Sequence, residues 1–180
     1  AYTFIFSPRE GTEAAAMSDH FIDPAVASER FERLRSNGGK VIFAATDVTI
    51  HEEVERAVRI ATKTGLVLRG VFHAAGVLDD HMLKDVEGES VNRVLQTKLE
   101  GARSLHSATL DEGGLEHFVL FSSAATWLGG PGQAAYAAAN ATMADLAEER
   151  RRSGRPATTI DWGPWDGGMV HVRPSGPTGP

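Results

Sequence analysis

Residues 118–140 read FVLFSSAATWLGGPGQAAYAAAN, and this stretch decides the fold. The run from His117 to Phe121 is apolar and bounded by polar residues, as a buried strand is. Ser122 and Ser123 follow it, and Gly129-Gly130-Pro131-Gly132 then breaks the pattern into a loop. An Ala-rich helix is predicted from about Gln133 to Arg152, with Ser153-Gly154 and Pro156 marking its end.

The same alternation runs outward in both directions. Downstream, Ala157 to Asp161 reads as a strand. After Trp162 the chain becomes Gly- and Pro-rich and predicts no further element, so residues 1–170 form one expected domain and 171–180 a tail. Upstream, Val91, Val94, Leu95, Leu99, Ala102 and Leu105 form the buried stripe of one long helix from about Gly88 to Thr109. Leu66 to Phe72 reads as a strand. Before it, Val54, Ala57, Val58 and Ala61 share a helix face, with Thr49 as the expected N-cap and Glu52 completing a capping box. Lys40 to Ala45 is a strand. Pro24 opens a helix that runs to about Ser36, where Asn37-Gly38-Gly39 stops it. Gly11 to Asp23 is a polar loop, and Tyr2 to Phe6 a strand ending at Ser7-Pro8. Strands alternating with helices imply right-handed βαβ units and a mainly parallel sheet. The near-continuous apolar strands imply that both faces of the sheet are covered.

Composition narrows the function. The 180 residues suffice for one domain with a real core. The formal net charge of −6 argues against nucleic acid as a partner, because phosphate binding needs a basic face. There is no cysteine, which excludes disulfides and thiolate metal sites and fits a cytoplasmic protein. No apolar run approaches a membrane span. No histidine pair has metal-ligand spacing, so no metal is expected. Arg150-Arg151-Arg152 and Arg155 read as favourable charges at a helix C-terminus, or as a dock for an acidic carrier protein. The chain opens on Ala1 rather than Met, which points to a piece of a longer chain.

Sites in such sheets lie beyond the carboxyl ends of the strands. Asp47 follows one strand, His73-Ala74-Ala75-Gly76 another, Ser122-Ser123 a third and Trp162-Gly163-Pro164-Trp165 the last. The small residues at 74–76 would let a flat ligand approach the backbone. Tyr136 and Asn140 are four apart on a helix and so share a face, and their neighbours are nearly all alanine. The Gly-rich loop could bring Ser123 near Tyr136. Lys98 interrupts an apolar stripe, and burying its charge would be costly without a purpose. Taken singly these residues have plainer readings. Lys98 could snorkel, Asp47 could cap a turn, Asp79 and Asp80 could be loop acids, Arg9 a solvated charge, and Trp162 and Trp165 core anchors.

In order along the chain, HAAGVLDD at 73–80, TKLEGARSLH at 97–106, FVLFSSAATWLGGPGQAAYAAAN at 118–140 and DWGPWDGGM at 161–169 resemble the catalytic half of a ketoreductase domain of type I polyketide synthases. The ending also resembles ketoreductases of polyunsaturated-fatty-acid synthases. These domains are short-chain dehydrogenases. The resemblance implies a Rossmann-like doubly wound parallel α/β sheet, NADPH as cofactor, and Lys98, Ser123, Tyr136 and Asn140 as the catalytic set. A β-ketoacyl thioester carried on an acyl carrier protein would be the substrate, and other synthase domains the partners. Ser7, Arg9, Asp47, Val48, His73, Ala74, Ala75, Gly76, Pro164 and Trp165 would hold the cofactor. Chemistry agrees with these roles. A carbonyl oxygen that gains negative charge needs a proton donor, and a phenol is a weak one near neutral pH unless a cation lies close. A serine hydroxyl can fix the same oxygen, and no side chain can supply a hydride, so a cofactor must. Leu78-Asp79-Asp80 matches the signature of B-type ketoreductases, which implies a D-configured β-hydroxyl. The A-type tryptophan would stand at Leu128, and Trp127 is one place off.

The chain departs from that pattern at its start. No G-x-G-x-x-G phosphate loop occurs in it. Phe6-Ser7-Pro8-Arg9 instead resembles the end of the family's second strand. The expected fold therefore lacks the first βα unit and the C-terminal lid. In the order 3-2-1-4-5-6 the first strand is central, so the sheet should part where it is missing, and NADPH should bind poorly to this chain alone. Two other readings remain open: a non-catalytic scaffold fragment, and a free-standing short-chain dehydrogenase.

Overall fold

The computed structural model describes residues 2–7, 36, 40–63, 65 and 67–164. The expected helix from Pro24 (Ser36 excepted), the loop before it, Arg9, Trp165 and the tail lie outside the described residues. So do the side chains of residues 2–7, 40–43 and 45.

Every strand in the description is parallel. β1 (Tyr2–Ser7) pairs with β2 (Lys40–Ala45), Tyr2 opposite Lys40. β3 (Gly70–His73) pairs with β4 (His117–Ser123), and β4 pairs with β5 (Thr158–Trp162). These form two sheets, β1-β2 and β3-β4-β5. The split falls where the expected strand order has its first strand.

Between β2 and β3 runs α1 (His51–Thr62), whose Val54, Ala57, Val58 and Ala61 are buried as their spacing requires. The expected cap is wrong by one residue. The N-cap is Ile50, without a side-chain hydrogen bond. Thr49 is drawn away instead, its N–H and hydroxyl both donating to Asp47 Oδ1 at 2.9 and 2.7 Å. Such a turn competes directly with capping. Glu53, rather than Glu52, accepts from the Asp47 N–H at 2.9 Å.

The expected long helix is present but not regular. α2 (Gly88–Leu95) passes through a π-turn at Gln96–Glu100 into α3 (Gly101–Ala108). β3 starts later than expected, at Gly70. A one-turn α4 (Ala125–Leu128) follows β4, and α5 (Ala134–Arg152) ends at Ser153, with Gly154 at φ +72° as the left-handed residue that stops it.

One core unites Val54 of α1, Ala102 and Leu105 of α3, and Met143, Leu146 and Ala147 of α5 with Val71, Phe118, Leu120 and Ala157 on one face of the β3-β4-β5 sheet. The other face is less covered than the apolar strands predicted. Among the described residues Phe72 is 64% exposed and Trp162 37%. Phe121 and Trp162 stack there with ring centroids 5.5 Å apart. The sequence pattern reports apolarity on both faces but not what lies over each.

Candidate active site

The carboxyl ends of β3 and β4 meet the π-turn and the first turns of α5. Tyr136 sits two residues into α5 and is 8% exposed. It packs with Val94, Ala135 and Ala139, and with the half-buried Val77, Leu78, Val91, Leu95 and Ala125. Ala125 places the turn after Ser123 against the tyrosine's helix. The small residues around Tyr136 permit this close approach.

Lys98 is the most informative residue. It is 2% exposed, as its place in an apolar stripe predicted. Its Nζ donates to the Phe121 carbonyl at 3.0 Å and lies 5.4 Å from the centroid of the Tyr136 ring. Burial pushes its pKa down to about 8. Gly76 explains itself here, since a Cβ at that position would stand 2.9 Å from Lys98 Cε.

Ser123 ends β4. Its Oγ accepts from the Ala125 N–H at 3.1 Å, and Thr126 Oγ1 donates to its carbonyl. Asn140 is fully buried, and its Nδ2 donates to the Tyr136 carbonyl one turn earlier at 2.8 Å. Its Oδ1, and Ser122 Oγ, are buried without a partner among the described residues. A buried unpaired acceptor is costly, so Asn140 Oδ1 marks a place for a water or another donor. The four expected residues thus come from the π-turn, the end of β4 and one face of α5, and converge on one end of the sheet.

The residues expected at a cofactor are placed less evenly. Ala74, Ala75 and Gly76 follow β3 at that same end, exposed or half-buried, and their small size suits a flat ring against the backbone. This stretch, with Gly76 leaving room only for the Lys98 stem, fits the nicotinamide end of the expected cofactor. Asp47 is engaged in its own turn, and Val48 packs on the core near Gly101. The imidazole of His73 is 2% exposed, its Nε2 2.8 Å from the Lys98 carbonyl, so the ring is turned inward. Pro164 is exposed at the end of the described chain. The Ser7 side chain, Arg9 and Trp165 lie outside the described residues.

Residues 78–80 are held in place from both sides. Leu78 packs on its cluster. Asp79 accepts from Arg93 Nε at 3.1 Å and from His81 Nε2 at 2.8 Å. Burial alone would raise the Asp79 carboxyl, but hydrogen bonds from Arg93, Ser90 and His81 outweigh it and hold the carboxyl below its ordinary value. Asp80 accepts from Gln133 Nε2 at 3.3 Å, and the His81 N–H donates to the Gly132 carbonyl at 3.0 Å. Gly132 has φ +79°, a conformation that favours glycine.

Sequence reasoning missed three features. The π-turn leaves no trace in an apolar periodicity. The inward turn of the His73 ring has no signal in the small residues that follow it. Arg150 reads in the sequence as a favourable charge at a helix C-terminus or part of a dock for an acidic carrier protein, yet it is 1% exposed, stacked 3.9 Å from the Phe118 ring centroid and bonded to the Pro156 carbonyl and His106 Nδ1. The signal was available, because Ala139, Met143, Leu146, Ala147 and Arg150 share one helical face. Among the described residues, no cluster of His, Asp and Glu could hold a metal ion, and no helix is long and apolar enough to cross a membrane.

Comparison with known proteins gives a consistent answer. A family model described as the KR domain matches residues 7–167. A mycocerosic acid synthase-like polyketide synthase of Mycobacterium tuberculosis (strain ATCC 25618 / H37Rv) is 43% identical over 139 residues, covering 77% of this chain and 6% of that protein. A phthioceranic/hydroxyphthioceranic acid synthase of Mycobacterium bovis (strain BCG / Pasteur 1173P2) is 42% identical over 137 residues, covering 76% and 6%. Among solved structures, the first ketoreductase of the tylosin PKS superposes with a TM-score of 0.73 at 42% identity, covering 86% of this chain and 33% of that one. An A1-type ketoreductase gives 0.79 at 34% identity, covering 96% and 34%. The chain therefore spans about 6% of these curated relatives and about a third of these solved ketoreductases.

Proposed function

This chain belongs to the KR domain family, a family of Rossmann-like α/β oxidoreductases, and from that premise we propose that the polypeptide carrying it reduces a β-ketoacyl thioester to the β-hydroxyacyl thioester during polyketide assembly. The substrate would be presented on an acyl carrier protein by a multidomain synthase. The observation that carries this reading is the buried Lys98 ammonium held beneath the Tyr136 ring. Its desolvation costs stability, and a site that uses the cation gives that cost a purpose.

Ala74, Ala75 and Gly76 would hold the nicotinamide end of NADPH, which would supply the hydride. The substrate carbonyl oxygen then gains negative charge, and the Tyr136 phenol donates its proton there. Lys98 offsets the charge left on the phenolate. Ser123 Oγ already accepts from the Ala125 N–H, so its own O–H is free to donate to the same oxygen. Asn140 Oδ1, buried without a partner among the described residues, is open to accept from a water that would link it with Lys98. Leu78 on the tyrosine's cluster, with Asp79 and Asp80 tied to Arg93 and Gln133, makes a fixed wall that supports delivery to one face of the carbonyl and a D-configured hydroxyl.

The test is oxidation of NADPH by the full polypeptide with a short β-ketoacyl thioester, followed by chiral analysis of the product. Tyr136→Phe is expected to lower kcat by about 100-fold or more while leaving the fold unchanged. Undiminished turnover by Tyr136→Phe would overturn the mechanism, and an L-configured product would overturn the stereochemical part.

A further inference from the structure

The backbone of Lys98 is constrained as tightly as its side chain. Lys98 lies in the π-turn Gln96–Glu100, where the helical register between Gly88 and Ala108 is broken. The Gly101 N–H is shared there between the carbonyls of Gln96 and Lys98. The Lys98 carbonyl takes only a share of that N–H. It also accepts from His73 Nε2, at 2.8 Å. A carbonyl can only accept, so the imidazole proton is on Nε2.

Nothing about this contact is loose. His73 is 2% exposed, at the last position of β3. A Cβ on Gly101 would come within 3.1 Å of His73 Cε1 and 3.0 Å of Val48 Cγ2. On the other side of the lysine, Gly76 closes on the stem. The imidazole is thus wedged between the end of β3 and the π-turn. Burial pushes its pKa down to about 4, against the opposing pull of its hydrogen bond to the Lys98 carbonyl and with a smaller push from the Lys98 charge, so the ring stays neutral and the Nε2 donor is present at any ordinary working pH. π-turns are strained relative to α-helix and cluster at functional sites. A core histidine serving only its own solvation would be satisfied by any carbonyl. This one holds the carbonyl of the buried lysine.

We propose that His73 is a positioning residue that fixes the π-turn through the Lys98 carbonyl and so sets where the ammonium crosses beneath Tyr136. It acts through Lys98 and touches neither substrate nor cofactor with its ring. The inference deepens the ketoreductase reading and rests on it for its kinetic consequence, although the geometry stands apart from it.

The experiment uses the full polypeptide that carries this chain. His73→Leu removes the donor at similar volume, and His73→Gln restores an N–H at comparable reach. His73→Leu should lower kcat by about tenfold or more, with the substrate KM nearly unchanged, and displace the alkaline limb of the pH profile. His73→Gln should recover most of both. If the leucine variant does not fold, His73→Asn, whose amide falls short, replaces it in the same contrast. A folded donor-less variant with the parent's kcat and pH profile overturns the proposal, as does a glutamine variant no better than the donor-less one. Should the parent protein show no Tyr136-dependent reduction, the ketoreductase reading fails but this inference is still decided. NMR titration of 15N-labelled lysine, assigned with Lys98→Arg, should then find the Lys98 midpoint near 8 displaced without the donor and restored by glutamine. An unmoved midpoint overturns it.

Discussion

A lysine buried to 2% exposure is a liability unless its charge is used, and Lys98 makes that use measurable. Its pKa is lowered by burial from 10.5 to about 8. The folded value lies below the unfolded one, so between roughly pH 8 and 10.5 the unfolded chain binds more protons. Stability from this group therefore rises as pH rises through that window, by on the order of 3 kcal/mol. Activity should move the other way, because the ammonium disappears above pH 8. The expected result is a kcat that falls through about pH 8 while urea unfolding shows no matching loss of stability. Lys98→Met should lower kcat by about 100-fold and abolish the limb. A kcat that stays flat to pH 9.5 would remove the cation from the mechanism. At this scale the sequence was readable because the anomaly was chemical. A charged residue in an apolar stripe, and a tyrosine and asparagine four apart among alanines, need no coordinates to be noticed. His73 was readable only as a member of a small-residue turn, since nothing in its neighbours says which way an imidazole faces.

Elements were legible wherever periodicity was strong. The stripe of α1 and the extent of α5 follow from spacing alone. Their ends and irregularities did not, because these depend on hydrogen bonds that compete locally. Asp47 captured Thr49 and moved the start of α1. The π-turn between α2 and α3 divides the expected stripe, Val91, Val94 and Leu95 packing with Tyr136 while Ala102 and Leu105 join the main core, and a pattern of leucines and alanines cannot reveal that division. The C-terminal turn of α5 shows the same limit. Arg150 there is a tie between elements: its guanidinium covers the Phe118 ring of β4, bonds the Pro156 carbonyl just before β5, and reaches His106 of α3 at 2.7 Å. Burial and the charge of Arg150 lower the His106 pKa, Glu149 partly opposing and Arg155 adding to this, which keeps the ring a neutral acceptor. Arg150→Met should cost about 2–4 kcal/mol in urea unfolding, because it strips a buried carbonyl and a stacked cation at once. Arg150→Lys should recover little, since an ammonium cannot reproduce the planar fork. A loss below about 0.5 kcal/mol would mean that the stack is a bystander.

At the scale of the molecule, the proposed catalytic groups and the cofactor grip are separable. Lys98, Ser123, Tyr136 and Asn140 are gathered by β4, the π-turn and α5, all within the continuous β3-β4-β5 unit. Pyrophosphate binding is a different task. It needs backbone N–H groups at a helix N-terminus entered through a tight glycine turn, and no G-x-G-x-x-G occurs in these 180 residues. The split between the β1-β2 and β3-β4-β5 sheets lies where such a unit would feed the fold. Sequence reasoning could anticipate this split because strand order follows from topology rather than from side-chain detail. It could not anticipate the exposed Phe72 face, because exposure depends on what packs above a strand. The consequence is a prediction for the 180-residue chain by itself. It should show the circular dichroism of a folded α/β protein, yet leave the fluorescence of added NADPH unchanged, while the full polypeptide binds NADPH saturably. Saturable binding by the short chain would mean that the stretch from Ala74 to Gly76 and its neighbours hold the cofactor without a phosphate cradle. The nicotinamide end would then carry most of the affinity, and Gly76→Ala, by pressing on Lys98, should weaken that binding as well as turnover.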